Sequence, residues 1–185
     1  FRTMDMAAKG SGAPLMPYAH YLMFKNQHKN IAIQNIGGIG NVTYIKGDNI
    51  IAFDTGPGNM LIDGAMQKLY NLPYDDEGMV ALKGRIINEI LDKLLDDEYL
   101  KKVYPKSTGR EKYNNEFLNS IISECKKYTT NNEDIITTIT AYTAETIIDQ
   151  YKRFLDGIEK VVISGGGANN KFILKYLVEH LDIEV

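Results

Sequence analysis

The chain has 185 residues, of which 44% are hydrophobic and 24% charged, a balance that predicts one globular domain or one lobe of a larger protein. Its net charge of -3 argues against a dedicated nucleic-acid binder, which normally presents a basic face. The lone cysteine, Cys125, excludes an internal disulfide, and no apolar run approaches the ~18 residues that a membrane helix needs. We therefore expect a cytoplasmic protein with no nucleic-acid or membrane partner.

The first part of the chain predicts a loop followed by a β-meander. Residues 1–17 are rich in Gly, Ala and Pro, which favours a loop. Ile31–Ile36, residues 42–45 and residues 50–53 favour strands, and turns rich in Gly and Asn separate them.

Helices follow the meander. Apolar residues at helical spacing predict helices over residues 59–70, 79–102, 113–127 and 132–155, with Asn59 as the N-cap of the first. The last of the four is rich in Thr and Ile, which lowers helix propensity, but its apolar stripe still favours a helix. A strand over residues 160–164, a helix over residues 169–180 and a further strand at Ile183 complete the pattern, which indicates a mixed α/β domain.

A first glycine corner, with Asn35, Gly37 and Gly38, separates the first two predicted strands. Glycine lets backbone N–H groups approach a phosphate without side-chain obstruction. The same residues are typical of a plain hairpin turn, so this segment alone leaves both interpretations open.

A second corner follows the third predicted strand. Asp54 stands at the strand end, and a loop through Gly56 and Gly58 leads into the helix at Asn59. A helix N-terminus supplies free N–H groups and partial positive charge, which suit an anionic ligand. Asp54 could hold hydrated Mg²⁺, a hard cation that prefers oxygen ligands, or it could cap its own turn.

A third corner consists of Gly165, Gly166 and Gly167 between a strand and a helix. Three glycines allow a planar ring or a phosphate to lie against the backbone, although tight turns often contain glycine for conformational reasons alone. The spacing does not match G-x-G-x-x-G, and the chain ends before an acidic residue could follow twenty positions on. A nicotinamide site of the Rossmann type is therefore not favoured.

These corners belong to a series of motifs that resembles the anhydro-N-acetylmuramic acid kinase family. The matching segments are residues 1–5 with Gly-Ala-Pro-Leu at 12–15, residues 35–41, residues 54–59, Pro-Lys-Ser-Thr-Gly-Arg-Glu at 105–111, and residues 164–169. Residues 141–144 are similar too. The resemblance covers nearly the whole chain and is specific, because separate motifs agree in order.

Membership of this family implies an actin-like (ribonuclease H-like) ATPase fold of two lobes, here with a mixed sheet, a glycine-cornered meander and flanking helices. It implies ATP and Mg²⁺, and an amino sugar as the second substrate. The family's reaction opens the 1,6-anhydro bond with water and phosphorylates the released O6, giving N-acetylmuramic acid 6-phosphate for cell-wall recycling. A homodimer is compatible with this resemblance.

The resemblance also assigns site residues. Asp5 matches the family's general base, because water attacking the anomeric carbon must lose a proton. Asp54 is expected to hold the metal through water. Nucleotide or phosphate contacts are expected from Asn35, Gly37, Gly38, Asp54, Gly56, Gly58, Asn59, Gly165, Gly166, Gly167 and Asn169. The substrate cleft is expected to include Arg2, Lys106, Ser107, Arg110 and Glu111.

The chain departs from the family pattern around the expected base, where Lys9 replaces a usual glycine and Ser11 a usual glutamine. The resemblance implies a first lobe upstream of Phe1 and a closing segment downstream of Val185, and a start at Phe1 rather than Met agrees with the first of these expectations. Residues 1–30 then join the lobes and carry the base, residues 31–185 form an incomplete C-terminal lobe, and this chain alone is expected to be inactive.

Two alternative interpretations come from the same corners. One is a non-catalytic actin-like nucleotide-binding module, which has no need of Asp5 or of the segment 106–111. The other is a different sugar or carboxylate kinase of the same superfamily, which only substrate profiling would separate.

Overall fold

The structure, a computed structural model, describes residues 17–24 and 29–185. Strands β1 (Ile31–Ile36), β2 (Ile39–Lys46) and β3 (Asn49–Pro57) follow the first helix, α1 (Pro17–Phe24). The remaining elements are α2 (Asn59–Tyr70), a 3₁₀ turn (Asp76–Gly78), α3 (Asn88–Leu95), α4 (Glu98–Lys101), α5 (Asn115–Cys125), α6 (Asn132–Phe154), β4 (Lys160–Ser164), a second 3₁₀ turn (Gly166–Asn169) and α7 (Lys171–His180). In this part of the chain no helix is long and apolar enough to cross a membrane.

The four strands form one mixed sheet in the order β3-β2-β1-β4. The first three strands form the antiparallel meander that the sequence predicts, and β4 adds to β1 in parallel. One face of the sheet packs Ile31, Ile33 and Ile45 beside Phe24 of α1. The opposite face carries the main core, to which Val42, Phe53 and most helices contribute.

Helix α6 is the central element of that core, and threonines make up much of its buried surface. Five of them are at most 1% exposed: Thr137, Thr138, Thr140, Thr143 and Thr146. Thr140 donates a hydrogen bond to the carbonyl of Ile136 at 2.8 Å, and Thr137 donates to the carbonyl of Ala81 at 2.7 Å. Because the hydroxyls find backbone acceptors, a helix of modest propensity is buried without unpaired threonines.

The long helix predicted over residues 79–102 is wrong. Only α3 and α4 form there, and the segment before them runs irregularly along α6. The backbone N–H of Arg85 donates to Asp134 at 2.9 Å, and that of Ile87 donates to the Thr138 hydroxyl at 3.0 Å. Side chains of α6 therefore replace the carbonyl acceptors that a continuous helix would have supplied.

The other elements differ from the prediction mainly at their ends. Helix α7 begins at Lys171, because the side chain of Asn170 caps it by accepting from the N–H groups of Phe172 and Ile173 at 3.1 Å each. The further strand expected at Ile183 is a single parallel bridge between Glu184 and Lys160.

Candidate functional site

The three glycine corners meet at one edge of the sheet. Strands β1, β3 and β4 run in the same direction, so their carboxyl ends lie together, and Asn35 pairs with Ser164 in register. The turn after β1, the loop after β3 and the turn after β4 are therefore neighbours. We call residues 35–40, 56–59 and 165–169 the glycine edge.

The N-terminus of α2 is already paired within the glycine edge. The N–H groups of Gly58 and Met60 donate to the carbonyl of Gly38 at 3.0 and 3.2 Å, and that of Asn59 donates to Gly37 at 2.7 Å. The expectation of free N–H groups at this helix start is wrong for these three residues. Gly58, not Asn59, is the N-cap, and the Asn59 amide instead donates to the carbonyl of Ile36 at 3.2 Å.

Several glycines of the edge stand where two backbones touch. A Cβ on Gly58 would lie 2.1 Å from the carbonyl oxygen of Gly37. Gly165 has φ of 81°, which disfavours other residues, and a Cβ there would lie 2.7 Å from the carbonyl oxygen of Ile36. Gly166 differs, because its Cβ would meet only the Asn59 amide, at 3.3 Å. A side chain at Gly166 is therefore sterically feasible.

Gly56 and Gly167 are also packing glycines. Gly56 has φ of 146°, and its Cβ would lie 3.0 Å from the side chain of Thr146 on α6. A Cβ on Gly167 would lie 2.3 Å from Ile36 Cγ2. Gly37 and Gly38 have room for a Cβ, with the nearest atoms 3.6 Å away.

A cavity of about 390 Å³ opens beside the third corner. Asn59, Asp63, Gly166 and Asn169 line one side of it, and the segment from Tyr74 to Glu77 lines the other. Burial raises the pKa of Asp63 to about 6. The cavity therefore presents glycine backbone, amide side chains and a carboxyl group that gains its charge near neutral pH.

Asp54 lies within β3, three residues before the strand ends at Pro57, so the strand end predicted at Asp54 is wrong. Its side chain is held from one side. The N–H of Thr108 donates to Asp54 Oδ2 at 3.0 Å, and within the described residues Oδ1 has no hydrogen-bond donor. The pKa of Asp54 is raised mainly by burial and further by the charge of Glu111, whereas the Thr108 bond lowers it. Among the described residues, one donor thus orients the carboxylate and its other oxygen has no donor.

The segment that carries Thr108 also fixes the backbone of Asp54. The N–H of Asp54 donates to the carbonyl of Lys106 at 3.2 Å, and the Tyr99 hydroxyl donates to the carbonyl of Asp54 at 2.7 Å. We call residues 99–108 the Lys106 loop. The Lys106 ammonium lies inside this loop, 3.2 Å from the carbonyl oxygens of Tyr99 and Leu100.

Comparison with known proteins agrees with this geometry. The family model for anhydro-N-acetylmuramic acid kinase matches residues 1–184. The chain belongs to this family. The curated member from Bacillus cereus (strain 03BB102) is 45% identical over 184 residues, which is 96% of this chain and 48% of the relative. The member from Clostridioides difficile (strain 630) is 44% identical, over 100% of this chain and 50% of its own length. The chain thus spans about half the length of these curated relatives.

Solved structures support the fold. The activator of 2-hydroxyisocaproyl-CoA dehydratase from Clostridium difficile, with bound ADPNP, matches 84% of this chain and 52% of its own, with a TM-score of 0.53 and 18% identity. Component A of the Acidaminococcus fermentans (R)-2-hydroxyglutaryl-CoA dehydratase matches 91% of this chain and 57% of its own, with a TM-score of 0.54 and 20% identity. The predicted actin-like ATPase fold, with a mixed sheet and flanking helices, is confirmed.

The structure brings most of the predicted nucleotide residues of this kinase family member together. The glycine edge contains Asn35, Asn59 and Asn169 with all the predicted glycines, and Asp54 lies two residues before Gly56 on β3. Asp63 and the segment from Tyr74 to Glu77 also line the cavity, and no sequence motif predicted them. Asp63 lies one helical turn after Asn59, so helical spacing was the signal that could have identified it.

The structure places the predicted substrate-cleft residues in different surroundings. The ammonium of Lys106 bonds carbonyl oxygens within its own loop, and its role in sugar contact stays a prediction. Ser107 is exposed, and exposed Arg110 lines a second cavity of about 320 Å³ beside α2. Glu111 lies near enough to Asp54 to raise the pKa of that carboxyl group. Arg2 and Asp5, with the divergent Lys9 and Ser11, lie outside the described residues and stay predictions.

Proposed function

We propose that this chain is the C-terminal lobe of an ATP-dependent kinase that converts 1,6-anhydro-N-acetylmuramic acid to N-acetylmuramic acid 6-phosphate. The family match over residues 1–184 carries the proposal. By the complete enzyme we mean this chain within a protein of the length of its curated relatives. Such a reaction recycles cell-wall sugar in the cytoplasm.

The glycine edge and its cavity are the proposed nucleotide site. A cavity of about 390 Å³ is within the usual range for small-ligand pockets, and Gly166 exposes backbone at its wall. The structural relative with bound ADPNP supports a nucleotide in this fold. The proposed roles are adenosine contact for Gly166 and Asn169, and phosphate contact for the turn at Gly37 and Gly38.

Asp54 suits a hydrated magnesium ion. In the described part of the chain no three acidic, His or Cys side chains form a metal cage, and one Asp54 oxygen lacks a donor. Mg²⁺ keeps several waters and binds proteins through one or two carboxylates together with substrate phosphates, so this sparse donor set fits it. When bound, the ion would neutralise charge on the transferring phosphoryl group.

The sugar chemistry is assigned to Asp5. We propose that its carboxylate accepts a proton from the water that attacks the anomeric carbon, while the bond from that carbon to O6 breaks. The released O6 then forms a bond to the γ-phosphorus of ATP, and ADP leaves. A positioned general base typically contributes ~10²–10⁴-fold to the rate.

Product analysis of the complete enzyme tests this function. With ATP and 1,6-anhydro-N-acetylmuramic acid, mass spectrometry should detect a product heavier by one water and one phosphoryl group, and N-acetylglucosamine should give none. Turnover of another sugar or of a carboxylate instead would favour a different kinase, and nucleotide binding without any turnover would favour a non-catalytic module.

The variant D5N separates the base from the nucleotide site. An amide conserves size but cannot accept the proton, so turnover should fall ~100-fold or more while calorimetric ATP affinity stays nearly unchanged. Retention of more than about a tenth of the activity would contradict the assignment of Asp5.

A further inference from the structure

The charged end of Lys106 is enclosed by aromatic rings and carbonyl oxygens. Its Nζ lies 4.9 Å from the ring centres of Tyr99 and Phe154 and 5.6 Å from that of Phe53. It also donates to the carbonyls of Tyr99 and Leu100, which end the short helix α4. Ring faces and carbonyl oxygens both carry partial negative charge, which attracts an ammonium group, whereas burial lowers the pKa of Lys106 to about 8.

The same loop holds Asp54 at three different atoms. Lys106 accepts from the Asp54 N–H, Tyr99 donates to the Asp54 carbonyl, and Thr108 donates to the carboxylate itself. Tyr99 and Thr108 stand at the two ends of the Lys106 loop. The Lys106 side chain holds these two ends together. Its ammonium bonds the carbonyls of Tyr99 and Leu100 at one end, while its own backbone belongs to the other end.

From this arrangement we propose that Lys106 is a positioning residue, which orients the Asp54 carboxylate for hydrated magnesium by closing the Lys106 loop. The inference rests on the proposed function, since it takes Asp54 as the carboxylate that faces the metal. Lys106 itself touches neither nucleotide nor sugar in this role. Its effect reaches Asp54 through the N–H of Thr108 and the carbonyl of Lys106.

Hydrogen exchange in the complete enzyme tests the structural half of the proposal. K106M keeps the length of the side chain but removes the charge and the donors, and K102M makes the same change at an exposed lysine of the same loop. Amide exchange at Asp54 and Thr108 should be about tenfold faster in K106M than in the parent or in K102M. Unchanged exchange at both amides would overturn the proposal.

Calorimetric titration of ADP with and without Mg²⁺ tests the functional half. Mg²⁺ should raise the affinity for ADP by a factor that is about tenfold smaller in K106M than in the parent, because residues that orient metal-facing carboxylates typically have effects of this size. Its affinity for ADP without metal should stay within about twofold of the parent, as should both affinities of K102M. Equal losses with and without Mg²⁺ would overturn the proposal, because they indicate general damage to the lobe.

A second variant covers the case in which K106M does not fold. K106R keeps the charge and stacks on aromatic rings but displaces the donors, so the magnesium-dependent gain should fall by about threefold. An unchanged gain in K106R would then overturn the proposal. Failure of the proposed kinase reaction is a separate result, because the parent enzyme would bind ADP with Mg²⁺ yet form no phosphorylated sugar.

Discussion

The glycine edge and the Lys106 loop position their residues in opposite ways. In the glycine edge, backbone packs directly on backbone, and the absence of Cβ atoms at Gly58 and Gly165 permits the contact. In the Lys106 loop, long side chains reach back to carbonyls, as Lys106 and Tyr99 do. Tight backbone contact fixes a surface that a ligand can approach closely, whereas side-chain clamps fix the direction of a single carboxylate.

The sharpest test of this contrast is G58A. The new methyl group would collide with the Gly37 carbonyl, 2.1 Å from the Cβ position, so the hairpin and α2 must separate. We expect a loss of about 3 kcal/mol in the free energy of unfolding, measured by urea denaturation. The control G38A, whose Cβ would lie 3.6 Å from Met60, should leave stability unchanged or raise it by about 0.5 kcal/mol. Equal losses in both variants would contradict backbone packing as the reason for Gly58.

A side chain at Gly166 should impair the ligand site without breaking the edge. G166V projects into the cavity wall, where only the Asn59 amide is near, so the fold should survive as judged by circular dichroism. Steady-state kinetics of the complete enzyme should show a KM for ATP raised about tenfold and a KM for the sugar within about twofold. Similar changes in both constants would remove the nucleotide assignment.

The side-chain clamp is tested by Y99F. Loss of the hydroxyl leaves the Asp54 carbonyl without its 2.7 Å bond, in a site where Tyr99 is 6% exposed. The free energy of unfolding should fall by about 1.5 kcal/mol, the usual cost of an unsatisfied buried acceptor. Y128F at a half-exposed tyrosine should change it by less than about 0.5 kcal/mol. A Y99F loss no larger than that of Y128F would show that the loop is held by other contacts.

The smallest effect concerns Asp63 in the cavity. Burial raises the pKa of Asp63 to about 6. The protonated carboxyl group therefore contributes to the stability of the folded protein, and this contribution is lost as pH rises from about 4 through about 6. D63N should therefore stabilise the protein by up to about 1 kcal/mol at pH 7.5, allowing for solvent screening, and by less at pH 4.5. Urea denaturation at both pH values measures this, with D92N at an exposed position of α3 as the control. A gain independent of pH would show that ionisation of Asp63 is not its cause.

The sequence predicted the turns at the first and third corners from local signals, but β3 extends through Gly56 to Pro57, beyond the strand end predicted before Asp54. Glycine corners at strand ends, with β4 followed by Gly165, indicate their turns without reference to the rest of the chain. The three glycine corners meet because β1, β3 and β4 run in the same direction, and the carboxyl ends of parallel strands lie at one edge of a sheet. The sequence could not show that the N–H groups at Asn59 are paired, because their acceptors, the carbonyls of Gly37 and Gly38, reach them only through tertiary contact.

The contacts of the Lys106 loop could not be predicted, for the same reason. The motif at 105–111 predicted a cleft residue, which stays a prediction, but it gave no sign that the partners of Lys106 lie on α4, on α6 and on β3. The helix prediction over residues 79–102 was wrong for a similar reason. Apolar spacing predicted a helix, but Asp134 and Thr138 accept hydrogen bonds from backbone N–H groups of this segment. Where side chains from a distant element satisfy the backbone, periodicity alone gives the wrong element.

The parallel pairing of β1 with β4 has a consequence for how the protein emerges during synthesis. The Ser164 hydroxyl donates to the carbonyl of Gln34, and these residues are 130 positions apart in the chain. On a ribosome, the meander and most helices must be made before β4 can dock against β1. Closing so long a loop is entropically slow, so β1, an interior strand of the complete sheet, stays unpaired on that side until β4 has been made. The proposed nucleotide site is thus among the last features of the described residues to form.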